Sequence, residues 1–190
     1  FGWSKAMLTN AIEAQTYEKT LINQQNFAEQ LPAEQAQYAD LVLRDEYTFD
    51  FLNLTEPYTE VQLEQALVSN IRDFLATMGG DFTFVGNQFG VKVEDKNYEI
   101  DLLLYHRGLQ CLVAIELKLE SFQPSHKGQM ELYLRWLDKH ERTSEEESPI
   151  GLILCASADA EQIELLQLDE ASIRVAEYLV ELPPAAVLRD

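Results

Sequence analysis

Hydrophobic and polar residues follow two periods along this chain, one helical and one extended. Between residues 59 and 78, Val61, Leu67, Ile71, Phe74, Leu75 and Met78 recur at helical spacing and mark a buried stripe. Thr59 followed by Gln62 fits a capping box at the start, and Gly79-Gly80 supplies the stop. The pattern predicts one amphipathic helix, with Glu64 close to its apolar stripe. Residues 82–93 read as one strand or a broken pair, Asp95-Lys96-Asn97 as a turn, and 98–106 as a strand. Arg107-Gly108 reads as a second turn before a strand over 109–119. The helical period returns over 128–142, with Met130, Leu134 and Leu137 on one side. Residues 150–156 are wholly apolar, as in a strand buried on both faces. A helix over 160–168 and a strand over 173–180 follow.

The resulting order is α-β-β-β-α-β, then α-β. It predicts an α/β fold with a central mixed sheet flanked by helices. Upstream, residues 1–30 are polar, Gln-rich and helix-prone, with Trp3, Met7, Ile12 and Leu21 as scattered anchors. Pro32 precedes a second helical stretch over 33–44. We read 1–47 as the end of a helical module plus a connector, and 48–190 as the main domain. The chain begins with Phe1, so a start upstream is expected. Residues 48–52 form a short apolar knot, and residues 144–148 an acidic, exposed loop.

Composition narrows the function. A hydrophobic content of 46% supports a packed core and argues against disorder. No run of about 18 apolar residues is present, which excludes a membrane-spanning helix. The two cysteines, Cys111 and Cys155, each lie in an apolar run and are expected as buried free thiols; no zinc-ligand spacing accompanies them. With no secretory signal pattern, a cytoplasmic location is the expectation. The net charge of −19 argues against a simple nucleic-acid coat protein, yet it is unevenly spread. Residues 88–142 hold 8 of the 14 basic side chains and 9 of the 33 acidic ones, so any phosphate-facing surface is expected there.

That segment also holds the candidate chemistry. Asp101 lies in Ile100-Asp101-Leu102-Leu103, and Glu116 and Lys118 lie in Ile115-Glu116-Leu117-Lys118. Residues two apart on a strand share a face, so Glu116 and Lys118 point together, and a hairpin brings Asp101 to them. Charges among Ile, Leu and Val are costly to bury unless paired or metal-bound. Taken alone, Glu-x-Lys is more often an exposed ion pair of little consequence. Here it lies in an apolar strand, beside a second strand carrying Asp. Hard Mg²⁺ or Mn²⁺ suits such oxygen ligands: Asp101, Glu116 and the Leu117 carbonyl, with Glu64 from the first helix. Lys118 would hold the attacking water or steady transition-state charge, and Gln129 would orient a water.

With these residues the chain resembles the PD-(D/E)XK nuclease core and, over residues 48–182, the YhcG-like family within it. The likeness is carried by Phe49-Asp50-Phe51-Leu52, Phe84-Val85-Gly86, the Asp101 and Glu116–Lys118 segments, Gly128-Gln129 with Tyr133-Leu134, Ile150–Cys155 and Val175–Tyr178. Residues 1–47 resemble the end of that family's helical N-terminal domain. The resemblance implies a restriction-endonuclease-like αβββαβ core and a metal-dependent nuclease acting on DNA. It implies Asp101, Glu116 and Lys118 as its catalytic set, Glu64 and Gln129 in support, and a homodimer. Glu99-Ile100 precedes Asp101 where the motif's name has Pro. Two other functions compete: a catalytically silent nuclease-fold module, and an assembly protein docking through acidic surfaces. His106, Tyr105 and Tyr133 are expected to be structural, and His126 and His140 to lie at the surface. Lys127, Arg135, Lys139 and Arg142 fit either a phosphate track or a solvated helix face.

Overall fold

The computed structural model describes residues 42–180, apart from 56, 167 and 169–171. The expected helical segments before residue 42 lie outside the described residues. The elements run β1 (Glu46–Thr48), a 3₁₀ turn (Asp50–Leu52), α1 (Glu60–Ser69), α2 (Ile71–Met78), β2 (Phe82–Val93), β3 (Lys96–His106) and β4 (Cys111–Leu117). Then come α3 (Pro124–His140), β5 (Ile150–Cys155), α4 (Ala160–Leu165) and β6 (Ile173–Leu179). Six strands form one mixed sheet in the order β1-β6-β5-β4-β3-β2. The β2–β3 and β3–β4 pairs are antiparallel, and β4, β5, β6 and β1 run parallel. The fold is therefore the expected α/β class, with helices on both faces of a mixed sheet.

Two cores sandwich the sheet. One packs Leu63, Leu67, Phe74 and Met78 of α1 and α2 against Leu102, Leu104, Val113, Ile115 and Leu117. The other packs Met130, Tyr133, Leu134 and Leu137 of α3 against Leu103, Ala114 and Ile153. All seven residues of β4 and all six of β5 are buried, which explains their unbroken apolar runs. Cys111 and Cys155 are buried and free, as expected.

Several expected boundaries shift. The predicted single helix over 59–78 is two helices, broken at Asn70. The Asn70 Nδ2 donates to the Ala66 carbonyl at 2.9 Å, competing with the helical ladder. The capping box at the start forms: Gln62 N donates to Thr59 Oγ1 at 3.2 Å, and Thr59 N donates to Gln62 Oε1 at 2.9 Å. Val61 is 59% exposed, whereas Leu63 is fully buried, so the true stripe runs Leu63-Leu67-Phe74-Met78. The β2–β3 turn falls on Glu94-Asp95, since Val93 pairs directly with Lys96. α3 begins at Pro124, four residues before the expected start, with Pro in the first turn where its missing N–H costs nothing.

Candidate active site

The end of the β3–β4 hairpin builds the site. The last paired residues are Leu102 and Ile115, which puts Asp101 opposite Glu116 one step beyond. There the Asp101 side chain replaces the backbone ladder: its Oδ2 accepts the Leu117 N–H at 2.8 Å. On the other side of β4, Lys118 N donates to the Leu154 carbonyl at 2.8 Å and keeps this strand end fixed to β5. An extended residue points its N–H and C=O to the same edge, so the Leu117 carbonyl also faces Asp101.

The alternation of faces along β3 breaks at Asp101. Ile100 packs in the α3-side core, whereas Leu102, two residues on, packs in the α1-side core. Side chains two apart normally share a face. On β2 the register shifts between Phe84 and Gly86, and Gln88 adopts φ 47°. Bulges of this kind raise local twist and re-aim side chains. Asp101 therefore sits where the sheet changes face, open to groups from both sides.

Glu116 faces α3. Lys118 Nζ lies 3.1 Å from its Oε2, and Gln129 Nε2 donates to the same oxygen at 3.3 Å. Its other oxygen, Oε1, is buried with no hydrogen-bond partner among the described residues. Burial pushes the Glu116 carboxyl up to about 7, with Asp101 adding repulsion and Lys118 opposing it. Asp101 is also raised, chiefly by burial, against the Leu117 N–H and Lys118. Burial, the largest influence, would lower Lys118; the combined pull of Glu116, Glu60 and Asp101 outweighs it, so the ammonium is raised and stays charged.

The structure thus brings Asp101, Glu116, Leu117, Lys118 and Gln129 together. Glu64 arrives from α1 on the opposite face and raises Asp101 by repulsion. Its own oxygens are turned to β2: Oε1 accepts from Asn87 Nδ2 at 2.8 Å and Oε2 from Gln88 Nε2. Among the described residues no three His, Cys, Asp or Glu side chains gather as a metal-holding cluster. The donors still fit Mg²⁺, which keeps several waters and takes one or two carboxylates. Glu116 Oε1, buried and without a hydrogen-bond partner among the described residues, offers a lone pair that such a cation would satisfy.

Sequence reasoning missed four contributors. Tyr133, one helical turn after Gln129, receives a hydrogen bond from Gln129 Nε2 at 2.6 Å and donates to the Glu99 carbonyl at 2.9 Å. The i,i+4 spacing from Gln129 was the available signal. Glu60 Oε1 accepts the Leu119 N–H at 3.2 Å and adds negative charge near Lys118 and Asp101. Asn87 and Gln88, both exposed, hold Glu64 from β2, where the positive φ of Gln88, invisible in the sequence, interrupts the regular strand. The other histidines and cations are peripheral. His106 is buried and accepts the Leu109 N–H at 3.0 Å, closing a turn. His126, expected at the surface, is 7% exposed instead, because its Nδ1 accepts the Gln123 N–H and caps α3. Lys127 donates to the Leu166 carbonyl at 2.7 Å, and Arg142 pairs with Asp138 at 2.9 Å, so both are engaged within the fold. Arg135 and Lys139 are exposed on α3.

The αβββαβ order and the carboxylate–carboxylate–lysine group together define a domain of PD-(D/E)XK type. The chain belongs to the family described as the YhcG PDDEXK nuclease domain, which matches residues 40–189. Over 194 residues it is 36% identical to the Escherichia coli (strain K12) protein named "Putative nuclease YhcG", covering 100% of this chain and 52% of that relative. The chain therefore spans about half the length of the curated relative it matches. Two solved structures are similar at 18% identity, each covering 68% of this chain. They are EndoMS in apo form (TM-score 0.42, 49% of that chain) and a repair endonuclease from Pyrococcus abyssi (TM-score 0.40, 50% of that chain). Among the described residues no helix is long and apolar enough to cross a membrane.

Proposed function

We propose that this chain is a divalent-metal-dependent nuclease that hydrolyses phosphodiester bonds in DNA. The observation that carries the reading is Glu116: a buried carboxylate with one oxygen on Lys118 and Gln129, the other without a hydrogen-bond partner among the described residues, and in electrostatic reach of Asp101. Asp101, Glu116 and the Leu117 carbonyl would hold Mg²⁺ or Mn²⁺. The metal, when bound, lowers the pKa of a water and polarises the scissile phosphate. Lys118, held charged by Glu116, donates toward the attacking water and the charge that develops on phosphate oxygens. Gln129 spends its amide N–H groups on Glu116 and Tyr133, which leaves its amide oxygen to accept from a water. Glu64 adds charge to the metal's surroundings from the α1 side.

The test is single-turnover cleavage of labelled duplex, single-stranded and branched DNA, with Mg²⁺ and with EDTA. The wild type should cut at least one substrate only with metal. Asp101→Ala and Lys118→Ala should each cut at least about a hundredfold more slowly. Cleavage that resists EDTA, or that is equal in all three proteins, would overturn the reading; absence of cleavage with every substrate would favour a silent nuclease-fold module.

A further inference from the structure

We infer that Asn87 and Gln88 are positioning residues for a bound divalent cation, acting by holding the Glu64 carboxylate in electrostatic reach of Asp101 with neutral donors. The inference rests on the metal-dependent reading above and deepens it. Glu64 is 4% exposed, yet among the described residues no Lys, Arg or His forms an ion pair with it. A buried carboxylate is normally paired with a cation. Here two amides do the work instead, Asn87 Nδ2 on one oxygen and Gln88 Nε2 on the other.

The difference is chemical. A lysine or arginine would cancel the carboxylate's charge, whereas an amide satisfies a lone pair and leaves the full negative charge in place. Each carboxylate oxygen has a second lone pair, so the clamp fixes orientation and still leaves acceptor capacity. The surroundings sharpen the point: Glu64, Glu60 and Glu116 all lie in electrostatic reach of Asp101, opposed there by Lys118. This excess of negative charge calls for a cation from solution.

The backbone is shaped for the clamp. Continuing the β2–β3 register from Asn87↔Leu102 and Phe89↔Ile100 places Gln88 directly opposite Asp101. Gln88 has φ 47°, a region that residues other than glycine, asparagine and aspartate seldom occupy. Backbone cost of this kind persists where surrounding structure or function holds it. Asn87 and Gln88 are themselves exposed, so the two amides roof a buried anion at the edge of the sheet.

The experiment is a Mn²⁺ titration, followed by electron paramagnetic resonance, on the 190-residue chain. It compares wild type, Gln88→Gly, Asn87→Ala, Glu64→Gln, and each clamp variant combined with Glu64→Gln. Gln88→Gly suits the positive φ, so its fold is not penalised by the backbone. The inference expects Gln88→Gly and Asn87→Ala each to weaken Mn²⁺ binding by roughly tenfold, the loss of one hydrogen bond to a charged group. In the Glu64→Gln background neither should have a further effect, because the clamp acts only through that carboxylate. Equal weakening in both backgrounds, unchanged affinity or a gain in affinity would overturn the clamp while leaving the metal reading intact. A wild type that binds no Mn²⁺ would overturn both.

Discussion

The Asp101 carboxylate stands in for a strand carbonyl opposite Leu117: its Oδ2 accepts the Leu117 N–H at 2.8 Å just where the β3–β4 ladder ends. One residue is thus both a structural acceptor and a candidate metal ligand, and the two roles separate by substitution. Asp101→Asn keeps an acceptor oxygen and removes the charge; Asp101→Ala strands the N–H of the buried Leu117, which costs about 1–3 kcal/mol. We expect urea denaturation to place the Asn variant within about 1 kcal/mol of wild type and the Ala variant below it. Both should lose cleavage alike. An Asn variant that cuts at wild-type rate would remove the charge from the mechanism.

Tyr133 ties the helix that carries Gln129 to β3 through the Glu99 carbonyl. Tyr133→Phe keeps the buried ring and deletes only the hydroxyl. It should lower stability by about 1 kcal/mol and slow the chemical step more than it weakens substrate binding, because Gln129 is left free to turn. Single-turnover rates at saturating enzyme, set against binding isotherms, separate these terms. A pure binding defect would contradict a positioning role.

Packing beneath the site is equally specific. A Cβ added at Gly151 of β5 would lie 2.6 Å from Met130 Cγ and 2.7 Å from its sulfur. Met130 is fully buried and neighbours Gln129 on α3. Gly151→Ala should therefore destabilise the fold by about 1–3 kcal/mol, and adding Met130→Ala should offset part of that loss through the shared space. A thermal denaturation cycle over the four proteins measures the coupling; strict additivity would contradict the contact.

His106 sets a pH dependence away from the site. Burial lowers its imidazole to about 4, below the ordinary 6.5, so the folded state holds it neutral. Its contribution is fully present above about pH 6.5 and is lost as pH falls through about 4. The shift corresponds to stability on the order of 3 kcal/mol lost on acidification. Between pH 7 and 4, unfolding free energy should fall more steeply in wild type than in His106→Asn, which keeps an acceptor for the Leu109 N–H. Parallel profiles would show that His106 does not titrate in this way.

Much of this was legible in the sequence because it is local. The apolar runs around Asp101 and Glu116, joined by a short turn, read as a hairpin, and the hairpin alone sets the two carboxylates opposite each other. The capping box at Thr59 and the buried strand at Ile150–Cys155 are equally local signals. What escaped depends on distant partners. β1 has three residues and exists only because β6, about 130 positions on, pairs with it. Asn70 breaks a helix whose apolar period continues through it. Val61 and Leu63 are both apolar, and only the docked sheet decides which is buried. Gln88 reaches Glu64 from a backbone position with φ 47°, and His126 is drawn into a helix cap, so neither role could be read from residue type.

The central claim is that Asp101 and Glu116 share one divalent cation. A crystal of this chain grown with millimolar Mn²⁺, with anomalous differences recorded at the manganese edge, tests it most directly. The account predicts a peak bound by both carboxylates and the Leu117 carbonyl, with Lys118 beside it and unligated. A peak located elsewhere, or none between Asp101 and Glu116, would contradict it.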